Sequence, residues 1–413
     1  ASTILVQATG AGTAWSATIP LVPTGTTVYY YAFTSTRTLA SLNADSESNR
    51  SLSTLNFLDN SGNNYSYLQS ITIGPILVTG TTPVSSAFYN SLTLAGGAFA
   101  AINAGTHRGV VTVTIMSNVT TETGANALFQ SGYLGTSSYT SISLVPSGAR
   151  VISGSSTTQL IDLNGCDFVS INGINSGGNS LTIENTASNA SNGTIRFVND
   201  ARNNTINNCT LRGSSNQANA AVVYFSSADG TLLQGNDNNV ISNNIIRESI
   251  SGDPIFGINS FGSSGAIARW NSNNSVIGNQ IVNVYSPATA LCAAIQLTNG
   301  ANTVWNISNN SIYWTNNKSS TAATADYFYG IRITGGNGAN FTISGNFIGG
   351  TAVNCGGTPM TISNNTFGNK ISAIDINTST VGIASSIQGN TIANIALATN
   401  SNKSTAPFIF SGI

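Results

Sequence analysis

The sequence predicts an all-β molecule: a parallel β-helix, or solenoid, with a short capping helix and a small N-terminal β-sandwich. Two observations carry that expectation. A six-residue phrase of the form apolar, any, Asn or Gly, Asn, any, apolar returns seven times in the second half of the chain. The chain also draws its polarity from amides and hydroxyls. Only 7% of its 413 residues are charged while 40% are hydrophobic, where an average soluble protein has about 25% charged residues. Ample Ile, Val, Leu and Phe with little charge argue for an ordered fold, since disordered chains combine low hydrophobicity with high charge.

The copies of the phrase begin at Ile206, Ile241, Val276, Ile307, Ile343, Ile362 and Ile387, so their starts are separated by 35, 35, 31, 36, 19 and 25 residues. Such periods belong to stacked repeat architectures. Between copies the apolar runs are short, rich in β-branched and aromatic residues, and punctuated by Gly, Asn and Ser, which predicts strands and tight turns. At the phrase the chain turns a corner, where Asn or Gly tolerates a left-handed backbone. Identical amides stacked on successive coils can also hydrogen-bond to one another, as in cross-β ladders. The residues assigned to this structural corner ladder are Asn208, Asn243, Asn244, Asn279, Asn309, Asn310, Asn346, Asn364, Asn365 and Asn390, with Cys209 in place of an Asn in the first copy. The flanking Ile, Val and Phe are expected to face inward and stack on their equivalents.

Residues 1–80 read as the β-sandwich, an immunoglobulin-like module, from "AWSATIPLVPTGTTVYYYAFTSTR" and "LSTLNFLDNSGNNYSYLQSITIGP", alternating strands joined by Pro, Gly and Asn turns. It is short for that class, so completion by another chain or by further sequence is expected. Residues 81–150 hold the capping helix, with Leu94, Phe99, Ala100 and Ile102 near one face, and the first coils. The helix is expected to cover the open end of the solenoid, which otherwise exposes unpaired strand edges. Residues 151–413 are the β-helix.

The segments "AFAAINAGTHRG", "LIDLNGCDFVSINGINSGGNSLTIENT" and "GTIRFVNDARNNTINNCTL", with the repeated "ISNN" corners, resemble large secreted surface proteins of Bacteroidota-type bacteria. Those proteins carry right-handed parallel β-helices of the pectin-lyase-like superfamily. The likeness covers about residues 85 to 413, and the N-terminal region looks like the β-sandwich module that often precedes such helices. The resemblance implies extracellular display and adhesion more than any defined reaction.

Glycoside hydrolysis uses two carboxylates about 5 to 9.5 Å apart, yet no acid falls at a repeated corner position. The polygalacturonase pattern of Asp-Asp and Gly-His-Gly is missing, and the single His107 lies before the repeats, read as a turn residue. Arg196 near Asp200 is the nearest approach to a lyase site, and an ordinary ion pair is the simpler reading. "GGNGANFTI" and "DSESN" resemble calcium loops but lack the required charge or glycine. No catalytic, metal-ligating or cofactor-binding residue is therefore expected. Convergence of Asp200, Asp229, Asp237, Asp253 and Asp375 on Arg196 or Arg247 would reverse that reading.

The aromatic residues Tyr29, Tyr30, Tyr31, Trp305, Tyr313, Trp314, Tyr327, Phe328 and Tyr329 could stack on sugar rings if exposed, although alternate strand positions must face the core. Cys166, Cys209, Cys292 and Cys355 form no CxxC and read as buried apolar side chains. A net charge of −1 with three lysines argues against nucleic acid. No apolar run reaches the roughly 18 residues of a membrane helix. The expectation is an extracellular or cell-surface structural or adhesive protein that self-associates, head to tail by strand donation. The competing reading is a polysaccharide-degrading or polysaccharide-binding β-helix with a carbohydrate partner.

Overall fold

The computed structural model describes residues 4–12, 14–17, 27–44, 56–58, 61, 65–68, 74–227, 234–262, 265–287, 291–298, 301–321, 327–364, 368–400 and 410–413. They fall into two compact units, Ala1–Ile73 and Gly74–Ile413. In the first, Thr9–Ala11 pairs with Ala14–Ser16, Thr27–Tyr30 with Tyr65–Leu68, and Ala32–Thr34 with Asn56–Leu58, all antiparallel. A one-turn helix, Leu39–Asn43, starts at Thr38, whose side chain accepts from the Ser41 N–H.

The second unit is a parallel β-solenoid of the right-handed type with about eight turns. Each turn contributes one short strand to each of three faces. The first face begins with Gly109–Ile115 and ends with Ser386–Gln388; the second runs from Val119–Glu122 to Thr391–Ile392; the third runs from Leu128–Phe129 to Phe410–Ser411. Apolar residues stack in register inside. On the first face Val113, Leu144, Ile171, Ile206, Ile241, Val276, Ile307, Ile343 and Ile387 succeed one another, and on the second Ile152, Ile183, Leu211, Ile246, Ile281, Ile312, Ile348 and Ile392 do. Most of these are wholly buried, each contributing about 1.5–3 kcal/mol of hydrophobic stabilisation. Because each coil contacts only its neighbours, that stabilisation accumulates coil by coil.

At the N-terminal end the chain adds more than a helix. Ile76–Thr81 and Val84–Tyr89 form a hairpin that adds antiparallel to Gly109–Ile115. The solenoid therefore starts at Gly74, and a boundary at residue 80 would cut through its first strand. The helix, Ala98–Asn103, buries Ala98, Phe99 and Ile102. Leu92 is buried with them, while Leu94 is only half-buried. Glu122, fully buried, fixes the approach to the helix: its carboxylate accepts from the Ser91 hydroxyl, from the backbone N–H of Leu92 and Thr93, and from the Thr93 hydroxyl.

Two residues turn the corner between the first and second faces in every turn from Thr205 onward. The first takes the left-handed conformation: Asn208, Asn243 and Asn309 have φ of 57°, 55° and 58°, and Gly278, Gly345 and Gly389 replace Asn in the other turns. The second points inward and forms the ladder. The Asn244 amide nitrogen donates to Asn279 Oδ1 at 3.1 Å and to the Ile206 carbonyl at 2.9 Å. Asn279 Oδ1 also accepts from the Asn244 backbone N–H at 3.0 Å. Asn279, Asn310, Asn346 and Asn390 continue the pattern, each amide oxygen accepting twice from the turn before. An Asn side chain has two donors and two acceptor sites, and Asn279, Asn310 and Asn346 use all four. A buried amide carries no desolvation debt under those conditions.

The sixth copy of the phrase, beginning at Ile362, is not part of this stack. Met360–Ile362 pairs with Ile395–Leu397 in a separate two-stranded sheet, and Ile362 bridges Lys318. Asn364 donates to the Ser320 carbonyl at 2.9 Å, and its φ is not left-handed; Asn365 lies outside the described residues. The next ladder partner of Asn346 is Asn390, 44 residues on, which is the sum of the two irregular intervals in the sequence. The phrase there occurs inside the long connection between the second and third faces.

Replacing Asn279 by Leu should lower the free energy of unfolding by about 3 kcal/mol or more in a denaturant titration, since two donors of Asn244 lose their acceptor. Asn279→Asp keeps that acceptor but sets an oxygen against Asn310 Oδ1 and the Ile241 carbonyl. Burial raises its pKa in the folded state, so its deficit should be greatest at neutral pH and shrink as pH falls toward about 4.

Candidate functional site

The first place to look for chemistry is where polar side chains line up outside the coils. On the third face one outward position per turn gives the series Asp162, Arg196, Tyr224, Asn259, Gln296, Arg332 and Asp375. Strand register alone places them side by side, one coil apart. Arg196 clasps Asp162 bidentately, Nε to Oδ1 at 2.9 Å and Nη2 to Oδ2 at 2.6 Å. At the other end Arg332 donates to Gln296 Oε1 at 3.0 Å, approaches Asp375 Oδ2 at 3.8 Å and lies 4.9 Å over the Tyr329 ring. Beside Gln296 and Arg332 runs an open groove of about 450 Å³, floored by Ile255, Phe256 and Leu291 and edged by Asn216 and Thr334.

The acids do not gather on Arg196 or Arg247. Arg196 pairs with Asp162 rather than Asp200, Arg247 pairs with its neighbour Glu248, Asp253 pairs with Lys318, and Asp375 faces Arg332; Asp229 lies outside the described residues. The carboxylates that approach each other do so around Arg202, where the third face returns to the first. Arg202 Nε is 2.8 Å from Asp200 Oδ1, close enough for an ion pair but not aligned as a hydrogen bond. Its backbone N–H donates to Asp167 Oδ1 at 3.0 Å. One coil further, Asp237 Oδ1 accepts from the Ser272 N–H and hydroxyl at 2.7 and 2.8 Å. Burial pushes the Asp200 carboxyl up to about 6, with the charges of Asp167 and Asp237 adding to the rise and Arg202 opposing it. Among the described residues no group of three His, Cys, Asp or Glu is placed to hold a metal ion.

His107 lies in the bend between the helix and Gly109–Ile115, and its side chain is buried. Its Nδ1 lies 2.9 Å from the Ser85 hydroxyl and its Nε2 lies 2.7 Å from the Tyr89 hydroxyl, which pins the hairpin to the first coil. Burial lowers its pKa. The four cysteines are free thiols; Cys209 heads the ladder, its N–H donating to Asn244 Oδ1 at 2.9 Å. Trp305, Trp314 and Phe328 are core residues, each 1% exposed. Tyr313 and Tyr329 are also buried, whereas Tyr29, Tyr30 and Tyr31 are exposed on the first unit. Asn340, in the calcium-like stretch, takes a φ of 58° at a turn, and "DSESN" lies outside the described residues.

A second ladder escaped the sequence reading. At the corner from the third face to the first, Asn204 donates to Asn239 Oδ1 at 3.0 Å and Asn239 to Asn274 Oδ1 at 3.1 Å. Asn236 and Asn271 form a shorter parallel pair at 3.0 Å. The next position after Asn274 is Trp305, whose ring nitrogen donates to the Asn271 carbonyl at 2.8 Å and ends the series. The signal was present as Asn-Asn at 203–204, 238–239 and 273–274, five residues before each corner pair.

Neither a protein family model, nor a curated protein, nor a solved structure matches the chain.

Because the folded-state pKa of Asp200 is raised, its protonated form contributes stability at low pH that is lost as pH rises through about 6. Asp200→Asn should accordingly be more stable than the parent above about pH 7, by less than about 1 kcal/mol given solvent screening, with the gain fading toward about pH 4. Thermal melts of both proteins across that range measure it.

Proposed function

We propose that the protein is an extracellular structural or adhesive element of a bacterial surface and that it self-associates. The observation that carries this reading is where the polar groups go. Repeated amides serve the stack, and Asp162, Asp253 and Asp375 are each engaged by a different cation on a different turn, so these three do not converge on one substrate position; Asp167 and Asp200 gather instead on Arg202. A neutral, ladder-stabilised rod tolerates changes of salt and pH better than one held by ion pairs, which suits exposure outside a cell.

Self-association has a physical route in the outermost strand of the first face. Val84–Tyr89 ends that sheet and has no strand partner except Ile76–Thr81 among the described residues. Val84 is 89% exposed. A strand edge of this kind accepts a strand from another chain. Sedimentation velocity should show concentration-dependent assembly that Val84→Lys reduces without altering the circular dichroism. A parent protein that stays monomeric at every concentration would sink the reading.

The groove on the third face favours a second reading, carbohydrate binding. Gln296 and Arg332 line it one coil apart, about 4.8 Å, a spacing at which a polymer lying along the axis meets one side chain per unit. Arg332→Ala should weaken retention on polysaccharide columns at least several-fold and leave the melting temperature within a few degrees. Equal retention of both proteins would exclude this groove.

A further inference from the structure

Lysine is scarce in this chain, and two of its three lysines, Lys318 and Lys370, are buried. Lys318 leaves 5% of its side chain exposed, and its Nζ lies 2.5 Å from Asp253 Oδ2. Among the described residues no second acceptor meets this ammonium. Both partners sit on fixed backbone. The Lys318 N–H donates to the Thr361 carbonyl at 2.8 Å and its carbonyl accepts from the Ser363 N–H at 2.9 Å. Asp253 follows a tight turn in which Ser249 and Gly252 exchange hydrogen bonds at 3.2 Å, and the next residue, Pro254, accepts from the Tyr285 N–H at 3.0 Å.

An ammonium and a carboxylate taken out of water are costly unless each gains several hydrogen bonds. Here the ammonium has one. Burial raises the pKa of Asp253; Lys318 opposes that rise and the charge of Glu248 reinforces it. The 2.5 Å contact holds the nucleophilic nitrogen against its electrophile at a high effective concentration.

We propose that Lys318 and Asp253 condense into an intramolecular isopeptide bond. The proton passes from Nζ to Oδ2; the freed nitrogen lone pair attacks Cγ of Asp253; the Cγ–OH bond breaks, and the hydroxyl leaves with a proton from nitrogen as water. The ammonium and carboxylate become an amide plus one water, with no change of oxidation state and no co-reactant. The bond ties the connection after Ile245–Glu248 to the connection after Ser311–Tyr313, two turns apart, and closes 65 residues of chain into a covalent loop.

Mass spectrometry of the full chain under denaturing conditions tests this directly. The parent protein should be lighter than its sequence by one water molecule. Digestion at arginine, which cuts at Arg247, Arg269 and Arg332, should give a branched peptide that joins the segments holding Asp253 and Lys318. Lys318→Arg and Asp253→Ala should each restore the full sequence mass. A parent protein at full sequence mass overturns the proposal. So does a water deficit that persists in Lys318→Arg, which would place the loss at a backbone imide instead.

Discussion

The amide stack at the corner between the first and second faces sets the terms for the rest of the solenoid. Each Asn from 279 to 346 gives both of its protons and takes two, one turn ahead and one behind. Such a stack works only if every coil presents the same residue at the same height, so it fixes the register of the strands on either side. The Ile columns follow from that register, because a slip by one residue would turn each apolar side chain outward. The left-handed Asn or Gly before each ladder residue follows too, since it aims the next side chain inward.

Apart from Glu122, buried at the end of a second-face strand, charge is left to the outside and to the connections. The row on the third face is read off the same register that stacks the core, which is why Asp162 meets Arg196 and Arg332 meets Asp375 across one coil. These pairs are partly solvated and contribute little stability each. Their effect is to occupy cations and acids in turn-to-turn contacts. The Arg202 cluster differs only in having more acids than one arginine can neutralise.

Much of this was legible in the sequence. The corner phrase identified the stacked architecture, and its intervals located six of the coils. What it could not distinguish was a corner from a similar string in a connection: residues 361–364 read "TISN", as a true corner does, but they pair elsewhere. Periodicity in one dimension does not say which sheet a strand joins. The second Asn ladder was missed for a related reason, since Asn-Asn alone carries no flanking apolar signature. Glu122 and Lys318 could not be found at all. Their partners lie about 30 and 65 residues away, and nothing local marks a charged residue as buried.

The two-residue corner divides the molecule's perimeter into a part that cannot vary and parts that can. A residue inserted at Asn243–Asn244 would throw a whole side of the rod out of step. The connection that leaves the second face already ranges from the few residues after Ala149–Gly154 to the long excursion after Phe347–Ile348. Sequence drift in a lineage of such proteins should accumulate along the edge where those connections emerge. That edge is also where a foreign loop could be grafted with the scaffold left intact.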